Sequence, residues 1–481
     1  MQPRFPSLPT AVFAALAAAC GAAGPSPTPS PTPWPTPPAA PRFELSATDV
    51  LSGDDVQIAL RGFAPGTEVE LVAERPVRPY VGSTGARKLF RAHARFRVAA
   101  DGSLALATAA PLSGSYDGAD LRGLFWSMTP TQDPVADAWS DERVELTASQ
   151  GGRVAARAAI TLRRSAPGVE ITPVGPALPG AMLARLAGAT RRPAIIVLGG
   201  SEGSDWTARD VAPRLASHGY AVLGLPYYAP SYGGSPRADL AGLPTAFVDI
   251  PVDRLDQARA WLRQAPGVDA DHIAIWGFSK GAEFALLAAA HLPWVTAVVA
   301  IAPSDVVWEG WGAPGQAPGT RSSFSWRGEP LAFVPYANPD AEFALIGSGT
   351  QVHLRRMQDN GRAAHPEAAV AARIPIERYH GALLLAGAGD DQTWASGTMA
   401  ASIARSRAAA GLPTTTLIYP DAGHLLGGDG WAPTTMINAG MFTFGGTPAG
   451  NARAQAAVWH EVLALLGRAL GPPGGSAGDP K

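Results

Sequence analysis

Ser279 stands in the pentapeptide Gly277-Phe278-Ser279-Lys280-Gly281. A G-x-S-x-G pattern also occurs in ordinary Gly/Ser loops. Here it follows the apolar run Ile273-Ala274-Ile275-Trp276 and precedes an Ala-rich stretch over 281–290. A strand turning sharply into a helix would hold the hydroxyl at the tip of the turn, with the glycines letting strand and helix approach closely. That hydroxyl becomes a nucleophile only beside a base, and the base needs a carboxylate to orient it. Of the nine histidines, three lie far enough beyond Ser279 in the order nucleophile, acid, histidine. His380 precedes an apolar run and His460 sits inside a helical pattern. His424 follows the run 414–419 in the loop Pro420-Asp421-Ala422-Gly423-His424 and is the candidate base. The acid should come from Gly387-Ala388-Gly389-Asp390-Asp391, just after the run 382–386. Adjacent side chains leaving a strand point apart, so either Asp390 or Asp391 can reach His424, not both. A developing oxyanion needs two backbone donors. Lys280 supplies one by its position after the serine. Gly200 or Ser201, in the loop Gly199-Gly200-Ser201-Glu202-Gly203 after the run 194–198, supplies the other. No Lys-Ser/Thr pair follows that loop, which argues against a phosphate-binding turn. The Lys280 side chain has two readings: a surface ion pair with Glu283, or a charge beside the acyl or leaving group.

These residues must be positioned by a sheet. The continuous apolar run at 194–198 reads as a strand buried on both faces and 220–225 as another buried strand, with further strands at 272–276, 297–302, 382–386 and 414–419. Helical spacing at 211–217, 255–264, 281–290, 399–410 and 454–470 alternates with them. Strands alternating with helices predict an α/β fold with a mostly parallel, doubly wound sheet over 169–470. The stretch 304–379, rich in Gly, Pro and Trp, breaks that rhythm and reads as a cap-like insert. Residues 42–165 have a different pattern of short alternating segments. Turn residues Pro65-Gly66, Asp101-Gly102 and Gly151-Gly152 separate them, the latter two as hairpin signals, which predicts an all-β immunoglobulin-like sandwich.

The N-terminus reads as an export segment over 1–20. Arg4 precedes a short apolar run, 12–19, and Leu16-Ala17-Ala18-Ala19-Cys20-Gly21 resembles a bacterial lipobox in which the cysteine is acylated. Cys20 is the single cysteine of the 481 residues, so an internal disulfide and a Cys-based metal site are excluded. A Pro/Ser/Thr-rich linker, 21–41, favours extended polyproline geometry, and 471–481 reads as a flexible tail. Net charge is −2, which offers no basic field for nucleic acid. The expected partner of the export segment is a membrane reached through the lipid anchor. No metal or cofactor is implied.

Taken together the motifs resemble the acyl-CoA thioesterase and bile acid-CoA:amino acid N-acyltransferase family, over about residues 42–470. Ser115-Tyr116-Asp117-Gly118 and Gly123-Leu124-Phe125-Trp126-Ser127-Met128 resemble its sandwich-domain signature. Ser279-Lys280-Gly281-Ala282-Glu283 resembles its elbow. Asp390-Asp391-Gln392-Thr393-Trp394-Ala395-Ser396 resembles its acid loop, and Tyr419-Pro420-Asp421-Ala422-Gly423-His424 its histidine loop. The resemblance implies an α/β-hydrolase fold and a triad of Ser279, Asp391 and His424. It implies a serine hydrolase that cleaves acyl thioesters or esters through an acyl-enzyme. Family members acting on CoA thioesters work inside cells, so the export segment leaves an ordinary ester or another acyl donor open. One alternative is acyl transfer to an amine or alcohol. Members that conjugate amino acids use cysteine as nucleophile, so Ser279 favours hydrolysis. The other is a non-catalytic surface lipoprotein, which a missing triad member would have supported.

Overall fold

The computed structural model describes residues 40–78, 86–135, 139–188, 191–230 and 238–471. The export segment, Cys20 and the tail from 472 lie outside the described residues. From residue 40 onward the chain packs as one compact unit built on two main sheet systems, with a small three-stranded sheet of Ile250–Pro251, Phe324–Trp326 and Glu329–Pro330 besides.

The first system is the sandwich. One sheet joins Arg42–Leu45, Ile58–Arg61 and Leu104–Ala105. The larger one runs in the order Asp49–Leu51, Arg153–Arg163, Arg143–Gln150, Glu68–Val77, Lys88–Arg97, Ser113–Gly114, with Thr129–Pro130 also on Lys88–Arg97. The two-residue period is plain in Lys88–Arg97. Phe90, Ala92, Ala94 and Phe96 are buried, while Arg91, His93, Arg95 and Arg97 face solvent. Gly151 and Gly152 both take positive φ, 57° and 76°, as a tight two-residue hairpin turn requires. The expected hairpin at Asp101-Gly102 differs. The tight turn is present, with Gly102 N–H donating to Ala99 O at 3.0 Å, but its flanking strands belong to opposite sheets. A local turn signal does not say whether the chain folds back on its own sheet or crosses the core.

The second system is an eight-stranded sheet: β1 (Val169–Pro173), β2 (Met182–Leu186), β3 (Arg192–Leu198), β4 (Ala221–Gly224), β5 (Val268–Phe278), β6 (Val295–Ile301), β7 (Ala382–Ala388) and β8 (Thr415–Tyr419). Its order is β1-β2-β4-β3-β5-β6-β7-β8. The β1–β2 and β2–β4 pairs are antiparallel and the rest parallel. Five helices cover it: α1 (Asp205–Ser217), α2 (Arg254–Gln264), α3 (Lys280–His291), α4 (Ser396–Ala409) and α5 (Pro448–Leu470). Alternate residues of β3 explain the layering. Ile195 and Val197 join the core beneath α1 and α5, while Ala194, Ile196 and Leu198 join the core beneath α2, α3 and α4. This is the doubly wound α/β-hydrolase arrangement. The insert 304–379 folds onto the second face, where Val306, Trp308, Val334 and Ala372 pack with Trp394 and Met399.

Candidate active site

The elbow is built by backbone approach. A Cβ on Gly277 would collide with the carbonyl of Gly281, and one on Gly281 with the carbonyls of Leu198 and Gly199. Only glycine lets β5, α3 and the end of β3 come this close. Between them Ser279 adopts φ 56° and ψ −122°, a strained conformation for a residue with a side chain. Its amide donates to Ile301 O of β6 at 2.9 Å, and its carbonyl accepts from Ala282 and Glu283 at 2.8 and 3.1 Å. The hydroxyl is thereby fixed at the carboxyl end of the central strands, where open α/β sheets place their sites.

His424 follows β8. Its Nε2 lies 2.8 Å from Ser279 Oγ, and its Nδ1 lies 2.9 Å from Asp391 Oδ2. With a carboxylate at Nδ1, that nitrogen carries the proton, leaving Nε2 as acceptor for the serine hydroxyl. The ring is flanked by Phe278, Trp394 and Phe444, with centroids at 5.3, 5.7 and 6.5 Å. All three polar residues are buried, Asp391 completely. Asp391 Oδ1 accepts from the amides of Thr393 and Trp394 at 2.8 and 3.1 Å, and Oδ2 accepts from Ser396 Oγ at 2.5 Å. These donors fix the carboxylate in the orientation His424 needs.

Of the two aspartates, Asp391 turns inward and Asp390 does not. Asp390 is exposed, and accepts from Gln392 Nε2 at 2.6 Å and from the Gly446 amide at 2.8 Å. It braces the chain returning past His424. His380 and His460 are exposed, and His460 faces Asp55 at 4.0 Å.

Lys280 begins α3, so its amide has no intrahelical acceptor. Gly200 lies beside the nucleophile: a Cβ there would stand 3.3 Å from that of Ser279. The Tyr227 hydroxyl reaches the carbonyls of Gly199 and Gly200 at 2.7 and 2.8 Å, and the Ser204 hydroxyl accepts from the Gly199 amide at 2.8 Å. Glu202 is buried in the same loop, and burial pushes its carboxyl above the usual carboxylate range.

The side chain of Lys280 corrects the surface-pair reading. It is buried, with Nζ 2.7 Å from Glu283 Oε2 and donating to Ser323 Oγ at 2.9 Å. Phe247, Phe324 and Trp311 surround it at 5.2–5.8 Å. Glu283 Oε1 in turn accepts from the Trp308 amide at 3.1 Å. Burial pushes the Lys280 ammonium down and the Glu283 carboxyl up, each opposed by the other's charge. The pair ties the nucleophile helix to the insert. The i,i+3 spacing gave the pairing of Lys280 with Glu283, but sequence reading missed its burial, the hydrogen bond of Ser396 to Asp391 and the aromatic side chains around His424.

Residues 250–472 match the family described as BAAT / acyl-CoA thioester hydrolase C terminal, and residues 53–175 match the acyl-CoA thioester hydrolase/BAAT N-terminal region. Residues 180–309 match the dienelactone hydrolase family. The mitochondrial acyl-coenzyme A thioesterase 2 of Mus musculus is 29% identical over 436 residues, covering 87% of each chain. Acyl-coenzyme A thioesterase 6 of Homo sapiens is 28% identical over 438 residues, covering 87% of this chain and 94% of its own. A dienelactone hydrolase structure from Klebsiella pneumoniae superposes with a TM-score of 0.35 at 16% identity, covering 60% of this chain and 92% of its own. That superposition is too loose to carry any of the argument.

Proposed function

The chain belongs to the acyl-CoA thioesterase and bile acid-CoA:amino acid N-acyltransferase family, and from that premise we propose that it hydrolyses acyl thioesters or esters through Ser279, His424 and Asp391. The observation that carries this reading is the unbroken relay from Ser279 Oγ to His424 Nε2 at 2.8 Å and from His424 Nδ1 to Asp391 Oδ2 at 2.9 Å.

Ser279 Oγ attacks the acyl carbonyl as His424 Nε2 takes its proton. Asp391 holds the imidazole and stabilises the imidazolium that forms. The Lys280 amide and an amide of the Gly200-Ser201 segment stabilise the oxyanion. Collapse expels the thiolate or alkoxide, which receives the proton from His424. Water then attacks the acyl-enzyme, giving its proton to His424, and collapse releases the acid and restores Ser279. Lys280 contributes its amide, while its ammonium is engaged with Glu283 and Ser323.

The test is a panel of acyl-CoA thioesters, simple thioesters and p-nitrophenyl esters, with products identified in the presence and absence of an amine acceptor. Free acid formed by the parent but not by Ser279→Ala supports the reading. An amide product formed in preference to free acid would replace hydrolysis with transfer. We also propose that the protein is exported and anchored through Cys20, on the strength of its single cysteine standing directly after an apolar run. Cys20→Ala should then move the protein out of the membrane fraction of its host. Unchanged fractionation would refute the anchor.

A further inference from the structure

The segment that carries His424 leaves the sheet at Tyr419 and rejoins the helical layer at Pro448. Between these points it crosses to the sandwich. Trp431 is fully buried and belongs to the sandwich core, not to either core of the hydrolase sheet. Its ring meets Phe125 edge-on at 4.7 Å, and its Nε1 donates to Asp54 O at 3.1 Å. Its carbonyl accepts from Arg75 Nη1 at 3.3 Å. Its amide donates at 2.9 Å to the buried Asp429, which also accepts from Ser52 Oγ. Further on, the Thr434 amide donates to Trp126 O at 3.0 Å and Thr435 Oγ1 donates to Met128 O at 2.6 Å.

From this anchor a short path leads back to the imidazole. Asn438 Oδ1 accepts from the amides of Phe444 and Gly445 at 2.8 and 2.9 Å. The Phe444 carbonyl accepts from the His424 amide at 2.8 Å, and its ring stacks over the imidazole. Ordering a segment of this length costs conformational entropy at every residue, which contacts must offset. On its hydrolase side the segment is held at its start, by Asn451 to the Gly423 amide at 2.7 Å and Gln455 to Leu425 O at 2.7 Å. It is held again over 438–446, where Gln351 Nε2 donates to Asn438 O and Gly440 O at 2.6 and 2.9 Å, the Val352 amide donates to Met441 O at 2.9 Å, and the Gly446 amide donates to Asp390 at 2.8 Å. Between these two stretches, residues 431–435 are held by the sandwich.

We propose that the sandwich positions the base: by gripping Trp431 and Thr435 it sets the course of the 425–447 segment and, through Asn438 and Phe444, the place of the His424 imidazole. This rests on the reading of His424 as the base of Ser279. Trp431 is a positioning residue that never meets substrate.

The experiment uses the full chain carrying Trp431→Ala, Trp431→Phe or Thr435→Val. Folded fraction is measured by thermal melt. Two rates per folded molecule are then read: kcat and KM on a short p-nitrophenyl ester, and the rate at which a fluorophosphonate labels Ser279. Positioning predicts that Trp431→Ala lowers kcat and labelling together by about 100-fold, the cost of a displacement near 1 Å, with KM little changed. Trp431→Phe, which keeps an aromatic ring against Phe125, recovers most of both rates. Thr435→Val, which removes one grip without opening the core, gives a smaller fall of the same kind. A merely stabilising contact would lower the melting temperature while each folded molecule turned over at the parent rate, and that result overturns the proposal. Should Trp431→Ala fail to fold, Thr435→Val decides: parent kcat and labelling rate in that variant also overturn it. Ser279→Ala and His424→Ala run alongside. If either stays active, it is the reading of the site that fails.

Discussion

The proposed nucleophile and its proposed base are held by opposite means. Ser279 sits where β5 meets α3, and its geometry is set by backbone packing within one sheet: two glycines in close approach and an amide bonded to the next strand. His424 sits on a long segment whose 431–435 stretch is gripped by another sheet system, through side chains far away in the chain. The first arrangement is local and topological. The second is assembled only when both halves are folded and docked.

The sharpest variants remove the reacting groups. Ser279→Ala and His424→Ala should each lower kcat by roughly 10⁶-fold, and the double variant should fall no further, because the two act as a unit. Additive losses would show that they do not. Asp391→Asn should cost on the order of 10⁴-fold by releasing the histidine tautomer; kcat/KM on one activated ester measures it.

On the nucleophile side, Lys280→Met strands Glu283 in the interior and should destabilise the fold by about 3–5 kcal/mol. Lys280→Met with Glu283→Leu should recover most of that loss, since two apolar groups leave no uncompensated charge. Denaturant unfolding of the single and double variants reads the difference, and a double variant no better than Lys280→Met would mean that the pair is not the strut described. Gly281→Ala forces a methyl against the end of β3 and should cost about 1–3 kcal/mol, with a matching loss of Ser279 labelling. Parent-like stability and labelling would show that the close approach is dispensable. The smallest effect is expected at Asp390→Asn. It weakens one brace on the returning chain, worth about 0.5–1.5 kcal/mol, and should change kcat/KM by no more than roughly tenfold. A loss there as large as at Asp391 would move the acid back one residue.

The same contrast explains what could be read beforehand. The elbow was legible because strand, glycines and helix are consecutive in the chain. The buried runs of β3 and β5 to β7 were legible because burial on both faces leaves no polar positions. β1 escaped, being an edge strand whose residues are mostly exposed. Asp390 and Asp391 were both open because one residue's difference in direction at a strand end is a matter of backbone geometry, settled by the donors at Thr393, Trp394 and Ser396. The burial of Lys280 depends on Phe247, Trp311 and Phe324, remote in the chain. Trp431 carried no signal at all, since its partner Phe125 belongs to the other sheet system.

In the proposed mechanism Ser279, activated by His424, carries the acyl group. Rapid mixing of the full chain with an activated acyl ester or thioester, followed by acid quench and peptide mass spectrometry, tests it directly. The expected result is one acyl group on the peptide containing Ser279, formed before steady-state product release and absent from both Ser279→Ala and His424→Ala. Turnover that persists in Ser279→Ala, or an acyl group found on another residue at the rate of turnover, would contradict it.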